Sequence, residues 1–363
     1  MKICHNFSPG PAKLPDEVIC RMKDEMFDYQ GKGVAIFEIS HRSDLFQHIY
    51  EKAITLFQEV LKVPSSHKVL FVHGGAAMQF AMLALNFMVK GRRSAYIDSG
   101  LWSTKAINAG LERFPNEIDV IASGKDINYT NLPTYNPAEH SHDYAYLHIT
   151  SNNTIYGTQY KKFPKLGNAP LAIDMSSDIC SYPLDFTNIG ICYGGAQKNI
   201  GVAGMGFAVV REDFLARPPQ TPHTILRYQT YHNHQSMFNT PNTIGIYVLG
   251  LVLEWIKSKG GLKAMSLESD KKSQLIYQVI DKHAGFYHSK VAKEVRSKVN
   301  ITFKLTNQPL EDKFLSFANK NELLFLKGHR VAGGIRISLY NALTLSSAKA
   351  LADFMDIFAT QNS

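Results

Sequence analysis

Between residues 68 and 210, short runs that are apolar almost throughout alternate with stretches of helical periodicity. No other feature of the chain limits its fold as much. The runs are 68–72, 94–98, 118–122, 144–149, 171–173, 190–193 and 207–210, and 78–88 and 104–111 read as helices between them. A strand with one wet face alternates apolar and polar residues, whereas a strand covered on both faces does not. Strands of the second kind, separated by helices or long crossovers, predict an α/β fold: a mostly parallel sheet flanked by helices.

Helical spacing also runs through Leu45, Phe46, Ile49, Tyr50, Ala53, Leu56, Phe57, Val60 and Leu61. A further helix is expected over 243–257, stopped by Gly260-Gly261. Beyond it the pattern becomes helix 262–283, strand 299–305, helix 310–320, strand 335–339 and helix 345–358. That is a smaller α+β unit of about a hundred residues, the size of a small domain. The boundary is placed near residue 258, giving a large domain over 16–258 and a small domain from 1–15 and 259–363. No element is assignable over 124–142.

Composition narrows the class. Of 363 residues, 45% are hydrophobic and 19% charged, which excludes a disordered, collagenous or coiled-coil chain. Lys and Arg outnumber Asp and Glu by 39 to 31, a formal charge of +8. Such an excess points either to a polyanion such as nucleic acid or to pockets for small anions. Nucleic-acid binding clusters basic residues with exposed aromatics, yet only Arg92-Arg93 and Lys271-Lys272 stand together. Small anions are the favoured reading. The opening residues hold no apolar leader, and Pro9, Pro11 and Pro15 break them up. The longest apolar run, 244–256, is interrupted by Glu254 and is too short to span a bilayer. A cytoplasmic protein without membrane contact is expected. Cys4, Cys20, Cys180 and Cys192 are widely spaced with no CxxC, so neither a metal site nor a disulfide framework is indicated.

Four segments carry chemistry. Lys198 sits in Gly194-Gly-Ala-Gln-Lys-Asn-Ile-Gly201, between two apolar runs. A lysine is ordinarily a solvated surface charge, but one hemmed in by small residues loses water and becomes nucleophilic. Asp174 ends an apolar run 24 positions earlier. A carboxylate there is either a loop cap or the partner that keeps a pyridinium nitrogen protonated, at the edge of the sheet where ligands collect. Gly74-Gly-Ala-Ala77 joins a strand to a helix; it is a tight turn, or a turn whose free amides face a phosphate. Trp102 follows another strand and is either a core residue or a plate for a flat ring.

Taken in order, GGAAMQF, SGLWSTKA, TSNNTIYGTQ, IDMSSD, GGAQKNIG and NTPNT resemble the phosphoserine aminotransferase family, class V enzymes of fold type I that depend on pyridoxal phosphate. The opening Asn6-Phe-Ser-Pro-Gly-Pro-Ala12 and the Ile39-Ser-His-Arg-Ser43 segment resemble the same family, and the likeness runs from residue 6 to Arg336. The resemblance implies that Lys198 carries the cofactor as a Schiff base, Asp174 pairs with its ring nitrogen and Trp102 stacks on the ring. Thr154 would bond the phenolic oxygen, while the Ala76 and Ala77 backbone and Gln197 would hold the phosphate. Asn239 and Thr240 would reach that phosphate from a second subunit of a homodimer. His41, Arg42, His329, Arg330 and Arg336 would bind the acid groups of the substrates: Arg336 the α-carboxylate, the two His-Arg pairs the phosphate of phosphoserine or the distal carboxylate of glutamate. The implied reaction exchanges the amino group between O-phospho-L-serine and 2-oxoglutarate, with a side activity on 4-phosphohydroxythreonine in vitamin B6 synthesis. Residue 77 departs from the family, where Ser or Arg is frequent; Ala77 keeps a backbone donor and lacks a side-chain one. A desulfurase of the same class would need a mobile-loop cysteine, and none follows Cys192. An alanine–glyoxylate transaminase would not need two His-Arg pairs.

Overall fold

A computed structural model describes residues 4–140 and 143–362. After β1 (His5–Asn6), a seven-stranded sheet is built from β2 (His67–His73), β3 (Ser94–Asp98), β4 (Ile118–Ser123), β5 (Leu147–Thr150), β6 (Leu171–Asp174), β7 (Ile189–Gly195) and β8 (Met205–Arg211). Their order is β2-β8-β7-β6-β5-β3-β4, and β8 alone of the seven runs against the others. The reversal has a local cause. Residues 196–204 join β7 to β8 with no helix between, too short a path for the crossover that parallel strands require. Every residue of β3, β5, β6 and β7 is buried, as their unbroken apolar character predicts.

Alternate residues of each strand feed two cores. Val69, Phe71, Ile173 and Cys192 point into one, with α2 (Asp44–Leu61) and α7 (Thr243–Ser258) covering it; α1 (Asp16–Glu25) adds Val18 to its rim. Leu70, Val72, Ala172, Ile191 and Tyr193 point into the other. That core is covered by α3 (Ala76–Phe87), α4 (Leu101–Leu111), the four-residue α5 (Glu212–Leu215) and α6 (Tyr228–Asn233). The doubly covered parallel sheet expected from the sequence is the observed one.

A third core joins α8 (Gly261–Lys282), β9 (Asn300–Phe303), α9 (Gln308–Lys320), β10 (Leu323–Leu324), β11 (Ile335–Ser338) and α10 (Leu345–Asn362). Phe7 lies in this core, because β1 pairs in parallel with β10. The first turns of α8 belong elsewhere: Leu262 and Met265 pack into the core under α7. The strand expected over 299–305 ends at Phe303, since Lys304 turns away to pair with His288. Within 124–142, single 3₁₀ turns form at Lys125–Ile127 and Pro137–Glu139; residues 141 and 142 lie outside the described chain.

Gly190 in β7 tests how tightly the second core is filled. A Cβ there would stand 2.3 Å from the ring of Phe214, which is fully buried and packs on Phe87 with centroids 4.9 Å apart. Gly190→Ala is expected to cost about 1–3 kcal/mol by overpacking. A thermal melt should show a lower midpoint; an unchanged midpoint would mean the Phe214 ring has room to move.

Candidate active site

Parallel strands deliver their carboxyl ends to one edge, and the segments that leave that edge form the site. Gly74-Gly75 leads from β2 into α3; Ser99-Gly100 leads from β3 into α4, with Trp102 in its first turn. Residues 151–154 leave β5, Asp174 ends β6, and Gln197 and Lys198 leave β7. The chain goes from β3 outward to β4 and then returns past β3 to β5, so a crevice opens at this switch of direction. Trp102 and Thr154 meet there, the indole Nε1 donating to Thr154 Oγ1 at 3.0 Å.

Asp174 is buried, and one of its oxygens accepts from both the Ser176 backbone amide (2.9 Å) and the Ser176 hydroxyl (2.6 Å). Burial pushes the carboxyl up from the ordinary carboxylate range, while Lys198 and the Ser176 bonds pull it back. Lys198 shifts the opposite way: loss of water lowers its proton affinity, Asp174 opposes that, and the Arg336 charge adds to it. Its Nζ stands 5.6 Å from the centre of the Trp102 indole. Ser176 also accepts from the Gly195 amide at 3.2 Å, binding the end of β6 to the end of β7. Gly194 makes that approach possible, since a Cβ there would lie 2.7 Å from the Ser176 Cα. From the other side, the Ala12 amide donates to the Gln197 carbonyl (2.9 Å), and Gly10, at φ +138°, leaves only 3.2 Å between a Cβ position and Lys198 Cγ.

Arg336 in β11 lies opposite Thr302 of β9, with Nη1 donating to the Thr154 carbonyl at 3.4 Å. Its Nε is buried without a partner, and among the described residues no acidic side chain pairs with it. Unpaired buried charge is costly, so this guanidinium is set up for an anion from outside the chain. Nearby, the His329 imidazole is held below its usual proton affinity by partial burial and by the Arg336, Arg330 and Lys105 charges. Lys105, one helical turn after Trp102, places its Nζ 4.8 Å from the same indole.

At the start of α3, no side chain caps the helix, and among the described residues no hydrogen bond claims the Ala76 and Ala77 amides. Two free donors at a positive helix end suit a phosphate dianion. A desolvated lysine, a buried carboxylate, an indole plate and this cradle together fit pyridoxal phosphate.

The remaining residues expected at the site lie apart within one chain. His41 and Arg42 border a hollow of about 330 Å³ with Met237 and Phe238. Asn239 and Thr240 follow on the same surface, both exposed, with Asn239 Oδ1 2.8 Å from His73 Nε2. Among the described residues, no hydrogen bond or ion pair joins His41-Arg42 to His329-Arg330. Two participants escaped the sequence reading. Ser176 stands two positions after Asp174, the spacing at which a hydroxyl bonds back to a preceding carboxylate, and that signal could have been used. Lys105 had only its helical spacing from Trp102 to mark it.

Residues 4–351 match the profile described as Aminotransferase class-V. The chain belongs to the class V aminotransferases. The expectation from the ordered motifs is thereby borne out. Among class V relatives, the chain is 42% identical to phosphoserine aminotransferase of Lysinibacillus sphaericus, covering 97% of this chain and 96% of that one. It is 43% identical to phosphoserine aminotransferase of Azotobacter vinelandii, covering 99% of each. The fold superposes on phosphoserine aminotransferase from Bacillus circulans subsp. alkalophilus with a TM-score of 0.95 at 41% identity, over 100% of both chains. The pyridoxal-phosphate-bound enzyme from Trichomonas vaginalis gives 0.92 at 33% identity, over 97% of this chain and 99% of that one.

The opposing influences on Lys198 make a measurable prediction for this class V site. Asp174 supports the charged amine, so Asp174→Asn should lower the Lys198 pKa further below the ordinary lysine range. In cofactor-free protein, the pH dependence of Lys198 labelling by an amine-reactive reagent should therefore move to lower pH. A profile that stays in place or moves upward would refute the coupling.

Proposed function

We propose that the chain catalyses amino transfer between O-phospho-L-serine and 2-oxoglutarate, giving 3-phosphohydroxypyruvate and L-glutamate, as a pyridoxal-phosphate-dependent phosphoserine transaminase. The observation that carries this reading is the buried Arg336 guanidinium, which meets the Thr154 carbonyl and, among the described residues, no acidic side chain, with His329, Arg330 and Lys105 adding positive charge next to it. Both substrates are amino acids or keto acids with a second anionic group. The site supplies one deep cation for the shared carboxylate and shallower ones for the group that differs. The near-full-length relatives named phosphoserine aminotransferase support the same substrate.

When bound, pyridoxal phosphate supplies an electron-withdrawing ring that takes up the charge left by removal of an α-proton. The chain's residues do the rest. The Ala76 and Ala77 amides and Gln197 hold the phosphate, Trp102 supports the ring face and Thr154 meets the phenolic oxygen. Asp174 keeps the ring nitrogen protonated; its Ser176 bonds fix the orientation of the carboxylate. Lys198 anchors the cofactor, and burial, which lowers its proton affinity, favours its taking the Cα proton and later returning it. Arg336 grips the α-carboxylate, and the low basicity that burial imposes is relieved by that anion.

The working unit we propose is a homodimer. Asn239 and Thr240 reach the phosphate of the partner's cofactor, and His41 and Arg42, on the same surface, join the contact. Two copies thereby bring together cation pairs that one chain keeps apart. Each copy has a large domain over 16–258 and a small domain formed by 1–15 and 259–363, operates in the cytoplasm and also accepts 4-phosphohydroxythreonine. No helix among the described residues is long and apolar enough to cross a membrane.

A coupled assay should show turnover of phosphoserine with 2-oxoglutarate and little turnover of serine; equal rates for the two would reject the phosphate assignment. Arg42→Ala or Arg330→Ala should raise the KM for phosphoserine by roughly tenfold or more, as expected for losing a charge-assisted hydrogen bond of about 1.5–3 kcal/mol. Activity per protomer should fall on dilution as the dimer dissociates, and activity retained by sedimenting monomers would overturn the shared site.

A further inference from the structure

A cleft of about 950 Å³ opens between the segment that follows β4 and the C-terminal unit. Lys125, His288, Lys290 and Lys304 line it, and no Asp or Glu does. Elsewhere in the molecule basic side chains are commonly neutralised, as in Arg93–Asp119, Lys257–Glu59 and Lys282–Asp356. Among the described residues, Lys125, Lys290 and Lys304 take part in no ion pair. Like charges gathered in a concavity with nothing to offset them create a focused positive potential that draws in anions.

The walls of the cleft are held by contacts of their own. The Tyr129 and Tyr156 rings pack with centroids 4.6 Å apart, and the Tyr129 hydroxyl donates to Asp98 Oδ2 at 3.1 Å. Thr302 Oγ1 donates to the Tyr156 carbonyl at 3.0 Å, and the Ala292 amide to the Thr130 carbonyl at 2.9 Å, so both sides are tied across the opening. Backbone bonds in both directions between His288 and Lys304 fix the two basic residues side by side.

This cleft is distinct from the catalytic one. Trp102, Asp174, Lys198 and Arg336 do not line it. It shares walls with that site instead: Ile155 and Tyr156 directly follow Thr154, and residues 331–333 directly follow Arg330. An occupant of the cleft would press on the two loops that carry substrate-facing groups.

We propose that the cleft is a second, non-catalytic anion site for a compact multivalent anion, a small organic phosphate or polycarboxylate. The ligand bridges Lys125 on the sheet side to Lys290 and Lys304 on the C-terminal side. Lysines act there as point charges, which suits anions of differing shape better than a bidentate arginine site would. The volume admits a ligand with several charged groups and their water.

The test uses the cofactor-loaded enzyme, with pyrophosphate and citrate as separate calorimetric probes that tell phosphate from carboxylate preference. Binding of at least one probe should weaken tenfold or more in the exposed-surface variant K125Q/K290Q/K304Q. Binding should survive in K125R/K290R/K304R, and the KM for phosphoserine without probe should stay within twofold in both. In wild-type enzyme the better probe should change phosphoserine kinetics in a manner that is not purely competitive. Three results would overturn the proposal: neither probe binding at millimolar concentration, the Gln variant binding as wild type does, or binding that is abolished by Arg330→Ala and purely competitive with phosphoserine. Absence of transaminase turnover would leave the calorimetric comparison intact, so the two readings fail separately.

Discussion

Burying the Asp174 carboxylate beside Lys198 strips water from both groups, and each then sets the other's proton affinity. Neither charge would persist in such a place without support. Ser176 gives the carboxylate two hydrogen bonds and ties β6 to β7, and Gly194 leaves room for that tie. The β7–β8 turn presents the lysine from a rigid strand end, at the edge where the other parallel strands also finish. The sheet topology is thus the means by which a carboxylate and an amine, 24 residues apart, are held in one dry pocket.

The positive charge of the chain is organised by depth. Arg336 is buried and meets only a carbonyl, with its Nε unpartnered. His329, Arg330 and Lys105 lie nearer the surface, where water moderates their attraction. The lysines of the adjoining cleft are exposed as well. The +8 excess is accordingly better understood as a gradient leading toward small anions than as a uniform basic coat.

The sheet and its coverings were legible because burial on both faces leaves a mark on every strand residue, and β3, β5, β6 and β7 are apolar for that reason. Lys198, Asp174 and Trp102 were legible because each interrupts or ends an apolar run. The reversal of β8 was not, since direction is set by the length of the connecting path and by what it must cross. Nor was the contribution of Lys105, whose place beside the indole follows from one turn of helix and from no local rule of composition. His41-Arg42 and Asn239-Thr240 are a different case: their motifs stand out in sequence, but within one chain they lie apart from Lys198 and Asp174.

The path of residues 5–12 has a mechanical consequence. β1 pairs with β10 and Phe7 sits in the C-terminal core, yet five residues later Ala12 is bonded to the Gln197 carbonyl and Gly10 abuts the Lys198 side chain. One short strap is thus anchored at one end in the C-terminal unit and rests at the other on the reactive lysine. Any rigid tilt of that unit, whether from substrate gripping Arg336 or from thermal motion, pulls directly on the strap. The lysine would sense the tilt through the strap's hydrogen bond to Gln197 and the packing of Gly10 on its side chain, with no loop closure needed to relay it.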